Sequence, residues 1–222
     1  MDPYLLIFIG ILIIPITAQI IINVNYKKYS SIKNANSLTG FDTARKILDS
    51  NGLQDIHIVE TKGFLTDHYD PQRKVIRLSS AVFHTDTISA VSVAAHECGH
   101  AIQDKDGYVF MRIRSFIFPI VNFSNKIAYI VLLIGFLTYI TDLIWLGIIL
   151  VSFGVIFQLV TLPVEFNASK RAKQELSKLN ILIGEENESA QKMLLSAALT
   201  YVAGLISSIL ELLRLILIAR DN

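Results

Sequence analysis

The sequence predicts an α-helical integral membrane protein of about four spans, with a small α+β domain between its first two spans. Three observations predict it. The 222 residues are 52% hydrophobic and 18% charged, with a mean hydropathy of +0.50, which is too apolar for an ordinary soluble domain. Three apolar blocks are long enough to hold four bilayer crossings. The polar stretch between the first and second block carries the helix and strand signals of a globular domain. A formal net charge of +1 gives no support to nucleic acid as a partner, and the apolar content excludes a disordered chain. The single cysteine, Cys98, cannot form an internal disulfide. No repeat or low-complexity linker divides the chain.

The first block, Tyr4 to Ile22, runs 19 residues without a charge, about the thickness of a hydrocarbon core. Its length, and Asp2 in front of it, favour an anchor over a cleaved signal peptide, which has a basic residue before a shorter apolar run. The second block, Ile127 to Val164, has 38 residues and one charge, Asp142 at its midpoint. A single overlong helix would bury Asp142 at the bilayer centre at a cost of about 2.5 to 3.5 kcal/mol, so a hairpin with Asp142 at its tip is expected. The last block, Met193 to Ala219, contains Glu211 and Arg214 at i and i+3. These read either as an intrahelical ion pair or as a functional intramembrane site.

Lys27, Lys28, Lys33, Arg112, Arg114, Lys126, Lys170, Arg171, Lys173 and Lys178 flank one side of the membrane, against Arg220 alone on the other. The basic side is expected to be cytoplasmic. This gives a transmembrane helix over 4–22, a cytoplasmic domain over 23–119, a transmembrane hairpin over 120–164, a cytoplasmic helical segment over 165–192 and a last transmembrane helix over 193–219.

Within the polar domain Phe41, Ala44, Ile47 and Leu48 share a helical face, and Asn51-Gly52 supplies the stop. Ile56 to Val59 and Arg73 to Leu78 read as strands, the second following the turn signal Asp70-Pro71. The second strand is a candidate sheet edge for strand addition by a peptide. Thr85-Asp86 can cap a helix over Ile88 to Gln103, which Asp104, Asp106 and Gly107 end.

That helix holds His96-Glu97-Cys98-Gly99-His100, an HExxH pattern. Histidines at i and i+4 leave one helix face side by side, so two imidazoles can close on one ion, and zinc suits them. Glu97 can take a proton from water activated at the metal and return it to a leaving amine. The rival is a chance match on a surface helix, but the pattern falls on an independently predicted helix.

A catalytic zinc site needs a third protein ligand and keeps its fourth position for water. Cys98 points away from His96, and no third histidine follows at short spacing. His57 and His84 read as structural or surface histidines. That leaves Glu165, which follows the hairpin on the same membrane side as His96, because an even number of spans separates them. Its alternative is an interfacial glutamate opening a cytoplasmic helix, with Pro163 in the first turn. Glu175, about three helical turns further on, is expected to be solvated. His68 or Tyr69 can donate to the oxyanion of a tetrahedral intermediate, a role worth about 3 to 4 kcal/mol where measured. The alternative makes Leu65 to Pro71 a turn whose Asp67 and Tyr69 bond locally.

Four strings, Leu65 to Pro71, Ala94 to Gln103, Gln158 to Ala168 and Ser196 to Ala203, resemble the bacterial membrane-bound neutral zinc metallopeptidases of the YugP type. The resemblance covers essentially the whole chain. It implies a zincin-like domain and a zinc-dependent endopeptidase, with one Zn2+ held by His96, His100 and Glu165 and with Glu97 as catalyst. It also implies kinship with the gluzincins, which include HtpX-type and CAAX-processing endopeptidases. Those relatives carry an acid four residues beyond the glutamate ligand that orients a zinc histidine. Here that position is Ser169, and Asn167 or Ser169 is expected to take over the task.

The expected function is hydrolysis of a peptide or protein substrate by zinc-activated water, at the cytoplasmic face of the cell membrane. The bilayer is the other partner. The alternative is a noncatalytic membrane scaffold or assembly factor tied together by zinc, which would close the metal with four protein ligands.

Overall fold

The computed structural model describes residues 3–63 and 65–221, so Asp2 lies outside the described residues. The elements follow in the order α1 (Pro3–Tyr29), α2 (Gly40–Ser50), β1 (His57–Thr61), β2 (His68–Asp70), β3 (Val75–Ser79), α3 (Ser80–Phe83), α4 (Ile88–Lys105), α5 (Val109–Thr138), α6 (Thr141–Lys178) and α7 (Glu185–Arg220). The apolar blocks lie on α1, α5, α6 and α7, and each of these helices is long and apolar enough to cross a membrane. Contacts divide the chain into two compact units, one of Met1–Gln19, Val109–Pro163 and Leu199–Asn222, the other of Ile20–Tyr108 and Val164–Ala198.

The first unit contains the hairpin. Tyr139 turns the chain at a φ of 54°, the Ile140 amide donates to Gly135 O at 3.1 Å, and Asp142 lies in the first turn of α6, where a carboxylate suits the helix dipole. A Cβ on Gly147 would meet the Leu132 side chain at 2.5 Å, so glycine lets α5 and α6 close around Ala128, Leu132, Ile144 and Ile148. Leu133, Leu137, Ile149 and Leu213 are exposed, as suits a surface facing lipid. Glu211 and Arg214 pair at 3.1 Å within α7, as the ion-pair reading expects.

The second unit is built on α4 and a small sheet. Thr39 caps α2 through a capping box with Asp42, and its fully buried Ala44, Ile47 and Leu48 pack toward α4. Gly52, at a φ of 70°, ends the helix. The sheet order is β1-β3-β2, with β1 parallel and β2 antiparallel to β3.

Four expectations need correction. The strand over Arg73 to Leu78 is β3, which is paired on both sides and offers no edge to a peptide; the edges are β1 and β2. Leu65 to Pro71 is not all turn, because the Asp70 carboxylate accepts from the amides of Gln72 and Arg73 at 3.0 and 3.1 Å. That reversal lays His68–Asp70 against Val75–Arg77 as β2. The cap of α4 is Thr87 rather than Thr85-Asp86, with its hydroxyl accepting from the Ala90 amide at 3.3 Å. Finally, α6 runs unbroken from Thr141 to Lys178 with Pro163 inside it, so Glu165 does not open a helix. Its buried stripe Val164, Ala168, Ala172 and Leu176 repeats every four residues and belongs to the second unit.

Candidate metal centre

His96 and His100 stand one turn apart on α4, and Glu165 reaches them from α6. The Nε2 atoms of His96 and His100 lie 3.3 and 3.5 Å from Glu165 Oε2. One ligand atom from each of the three residues falls within 4.8 Å of the others. Zinc donors at about 2.1 Å in tetrahedral geometry stand about 3.4 Å apart, and the two measured distances bracket that edge. Glu165 is 2% exposed, and a carboxylate so deeply buried calls for a cation. Burial is the largest influence on His100 and opposes its charge, yet the hydrogen bond and charge of Glu165, supported by Glu97 and Gln103, outweigh it and raise the imidazole pKa. A proton and a metal therefore compete for the same position.

Glu97, 8% exposed, turns Oε2 toward the sheet edge, where the Tyr69 backbone N–H donates to it at 2.9 Å. Two histidines, a glutamate and a second glutamate beside them form the donor set and base of zinc peptidases. The profile of a family described as "Putative neutral zinc metallopeptidase" matches residues 4–220. The chain belongs to this family. A relative, "Putative membrane protease YugP" of Bacillus subtilis (strain 168), is 48% identical over 201 residues, which cover 90% of this chain and 89% of the relative. No solved structure matches the chain.

In this family member the outer nitrogens of both histidines also have partners. Ser169 Oγ lies 3.2 Å from His96 Nδ1. His100 Nδ1 meets Gln103 Oε1 at 3.0 Å, and Gln103 Nε2 donates to Val164 O at 2.7 Å and to Asn167 Oδ1 at 3.0 Å. Ser169 thus touches a histidine directly, whereas Asn167 reaches one only through Gln103. Gln103 is the residue that the sequence reading did not single out. Its signal was the i+3 spacing from His100, which stacks the two side chains on one helix face.

Other expected residues lie apart from the triad. His68 is exposed, and its Nδ1 donates to Thr66 O at 2.7 Å, since a carbonyl only accepts. The Tyr69 hydroxyl donates to Asp104 at 2.8 Å; burial first, then Asp104, push the phenol pKa up. Asp67 accepts from the amide and hydroxyl of Ser79 at 2.7 and 3.0 Å. His57 is exposed, His84 pairs with Glu60 at 3.3 Å, and buried Cys98 faces Ala44 O at 3.6 Å. Glu175, expected to be solvated, is buried instead. It accepts from Asn51 at 2.9 Å and from Lys178 at 3.1 Å, because α6 here runs beside the end of α2.

Proposed function

We propose that the protein is a membrane-embedded zinc metallopeptidase, with His96, His100 and Glu165 as ligands of one Zn2+ and Glu97 as general base. The observation that carries the reading is the approach of both imidazole Nε2 atoms to one buried carboxylate oxygen, at 3.3 and 3.5 Å. Bound there, zinc supplies a Lewis acid that polarises a scissile carbonyl and acidifies water. The Tyr69 amide occupies Oε2 of Glu97 and restrains the carboxylate, so Oε1 is the atom that accepts the proton of the attacking water. Passing that proton to the leaving amine restores the base. Ser169 and Gln103 hold the outer nitrogens of His96 and His100, which keeps both Nε2 atoms turned inward.

With Nδ1 donating to Thr66 O, a neutral His68 has no second N–H to give an oxyanion. The excess of Lys and Arg on one flank supports a site at the cytoplasmic face of the cell membrane. A zinc-tied scaffold would use a fourth protein ligand, and among the described residues the cluster has three, which supports the enzyme.

The test is metal content and peptidase activity of the full-length protein. Glu97→Gln should keep its zinc and lose activity by about 100-fold or more, while His96→Ala and His100→Ala should lose the metal. Full activity in Glu97→Gln would remove Glu97 from the mechanism. Full zinc content in both histidine variants would remove the site.

A further inference from the structure

We propose that Gln103 is a positioning residue of the metal centre, fixing the tautomer of His100 and tying that histidine to the helix that carries Glu165. The proposal rests on the zinc reading above. Two groups of fixed character determine how the Gln103 amide points. The carbonyl of Val164 can only accept, so the Gln103 atom 2.7 Å from it is the amide nitrogen. Asn167 Oδ1, 3.0 Å from that nitrogen, also receives the Nε–H of Arg171 at 2.8 Å. A guanidinium can only donate, so Asn167 must present oxygen, and neither amide can flip without losing a bond. Arg171 is itself held by Asp106 at 2.6 Å.

With its nitrogen so engaged, Gln103 faces His100 Nδ1 with its oxygen at 3.0 Å. An oxygen there demands an N–H. A neutral His100 therefore carries its proton on Nδ1 and turns the lone pair of Nε2 toward Glu165 Oε2, 3.5 Å away. Two acceptors that face each other in a buried place need a cation between them. Gln103 thus holds the ring in the tautomer that can ligate through Nε2.

The same amide also sets register between helices. Val164 directly precedes Glu165, so one fully buried side chain bonds a ligand on α4 and the backbone next to the ligand on α6. His96 lacks this control. Its outer partner is the hydroxyl of Ser169, which can donate or accept and so leaves either tautomer open. Gln103 should therefore matter more than Ser169.

Zinc affinity of the full-length protein in detergent, measured by competition with a chromophoric chelator, tests this together with the absorption spectrum of the Co2+ form. Gln103→Met keeps the side-chain length and removes all three hydrogen bonds. It should lower zinc affinity on the order of 10- to 100-fold and alter the Co2+ spectrum. Ser169→Ala should do less, and Arg171→Met, which frees Asn167 to flip, should lower affinity by a smaller factor. Gln103→Met with wild-type affinity and spectrum overturns the proposal, even if its melting temperature falls, because that outcome marks a purely structural amide. If Gln103→Met does not fold, Arg171→Met decides, and wild-type zinc affinity there overturns the proposal. His96→Ala separates the two readings. Wild-type zinc affinity in His96→Ala overturns the metal site and this proposal together, whereas zinc lost in His96→Ala but unaffected in Gln103→Met overturns this proposal alone.

Discussion

A Cβ built on Gly99 would stand 2.5 Å from the carbonyl oxygen of Ala168. The middle of the HExxH pattern is thus where α4 meets the backbone of α6, one turn beyond Glu165. Any side chain at position 99 would push the helices apart, since ordinary contact begins near 3.4 Å. The carboxylate oxygen of Glu165 would move away from both imidazoles with α6.

Gly99→Ala is accordingly expected to weaken zinc binding although it alters no ligand. Alanine favours a helix by about 1 kcal/mol over glycine, so a net destabilisation, on the order of 1 to 3 kcal/mol, would identify the clash as the cause. Thermal unfolding and zinc content check this. A variant that melts higher and keeps its zinc would contradict the close approach of α4 and α6.

Glu165 and Glu175 share α6, but their losses should differ in kind. Glu165→Ala should lose zinc affinity and activity together. Glu175→Ala should keep zinc and lose about 1 to 3 kcal/mol of stability, because the Asn51 amide that donates to it at 2.9 Å is left without its acceptor. Exposed Gln174, beside Glu175 on α6, is the control, and Gln174→Ala should change neither quantity. Zinc retained in Glu165→Ala would move the third ligand elsewhere.

Asp67 separates a structural carboxylate from a ligand by pH. Burial pushes its pKa above the usual range, and the hydrogen bonds from Ser79 only partly offset this. A carboxyl whose pKa rises on folding opposes the fold when charged. Its contribution to stability therefore improves as pH falls through the raised folded value, and it is complete below the unfolded value of about 3.9. Asp67→Asn should melt no lower than wild type at neutral pH, and the difference should vanish in acid. It should also keep zinc; zinc lost with Asp67→Asn would make Asp67 a ligand after all.

Much of this was legible in the chain. The apolar blocks announced the four long helices, and the HExxH pattern lay on a helix that Asp104, Asp106 and Gly107 were read to end, although its cap is Thr87 and not Thr85-Asp86. Pairing Glu165 with the histidines followed from counting spans and ligands. The three-residue β2 was not legible, because its strand conformation depends on β3 and on the Asp70 reversal rather than on a periodic pattern. Gly99 read only as a glycine inside a helix until Ala168 stood opposite it. Spacing along α4 places Gln103 beside His100, but its bond to Val164 O, 61 positions away, and the bond of Glu175 to Asn51, 124 positions away, are visible only in the fold.

Membrane orientation gives the last prediction. It rests on ten basic residues flanking one side against Arg220 on the other, and cysteine labelling on intact cells tests it. Cys98 is fully buried and burial pushes its thiol pKa well up, so the native chain should not react with an impermeant maleimide. Single introduced cysteines then report alone. Asp142→Cys, in the exposed first turn of α6, should label from outside. Lys33→Cys and Lys173→Cys, both at exposed positions, should label only after the membrane is permeabilised. Labelling of Lys33→Cys and Lys173→Cys from outside, with Asp142→Cys protected, would invert the chain and put the metal centre on the outer face.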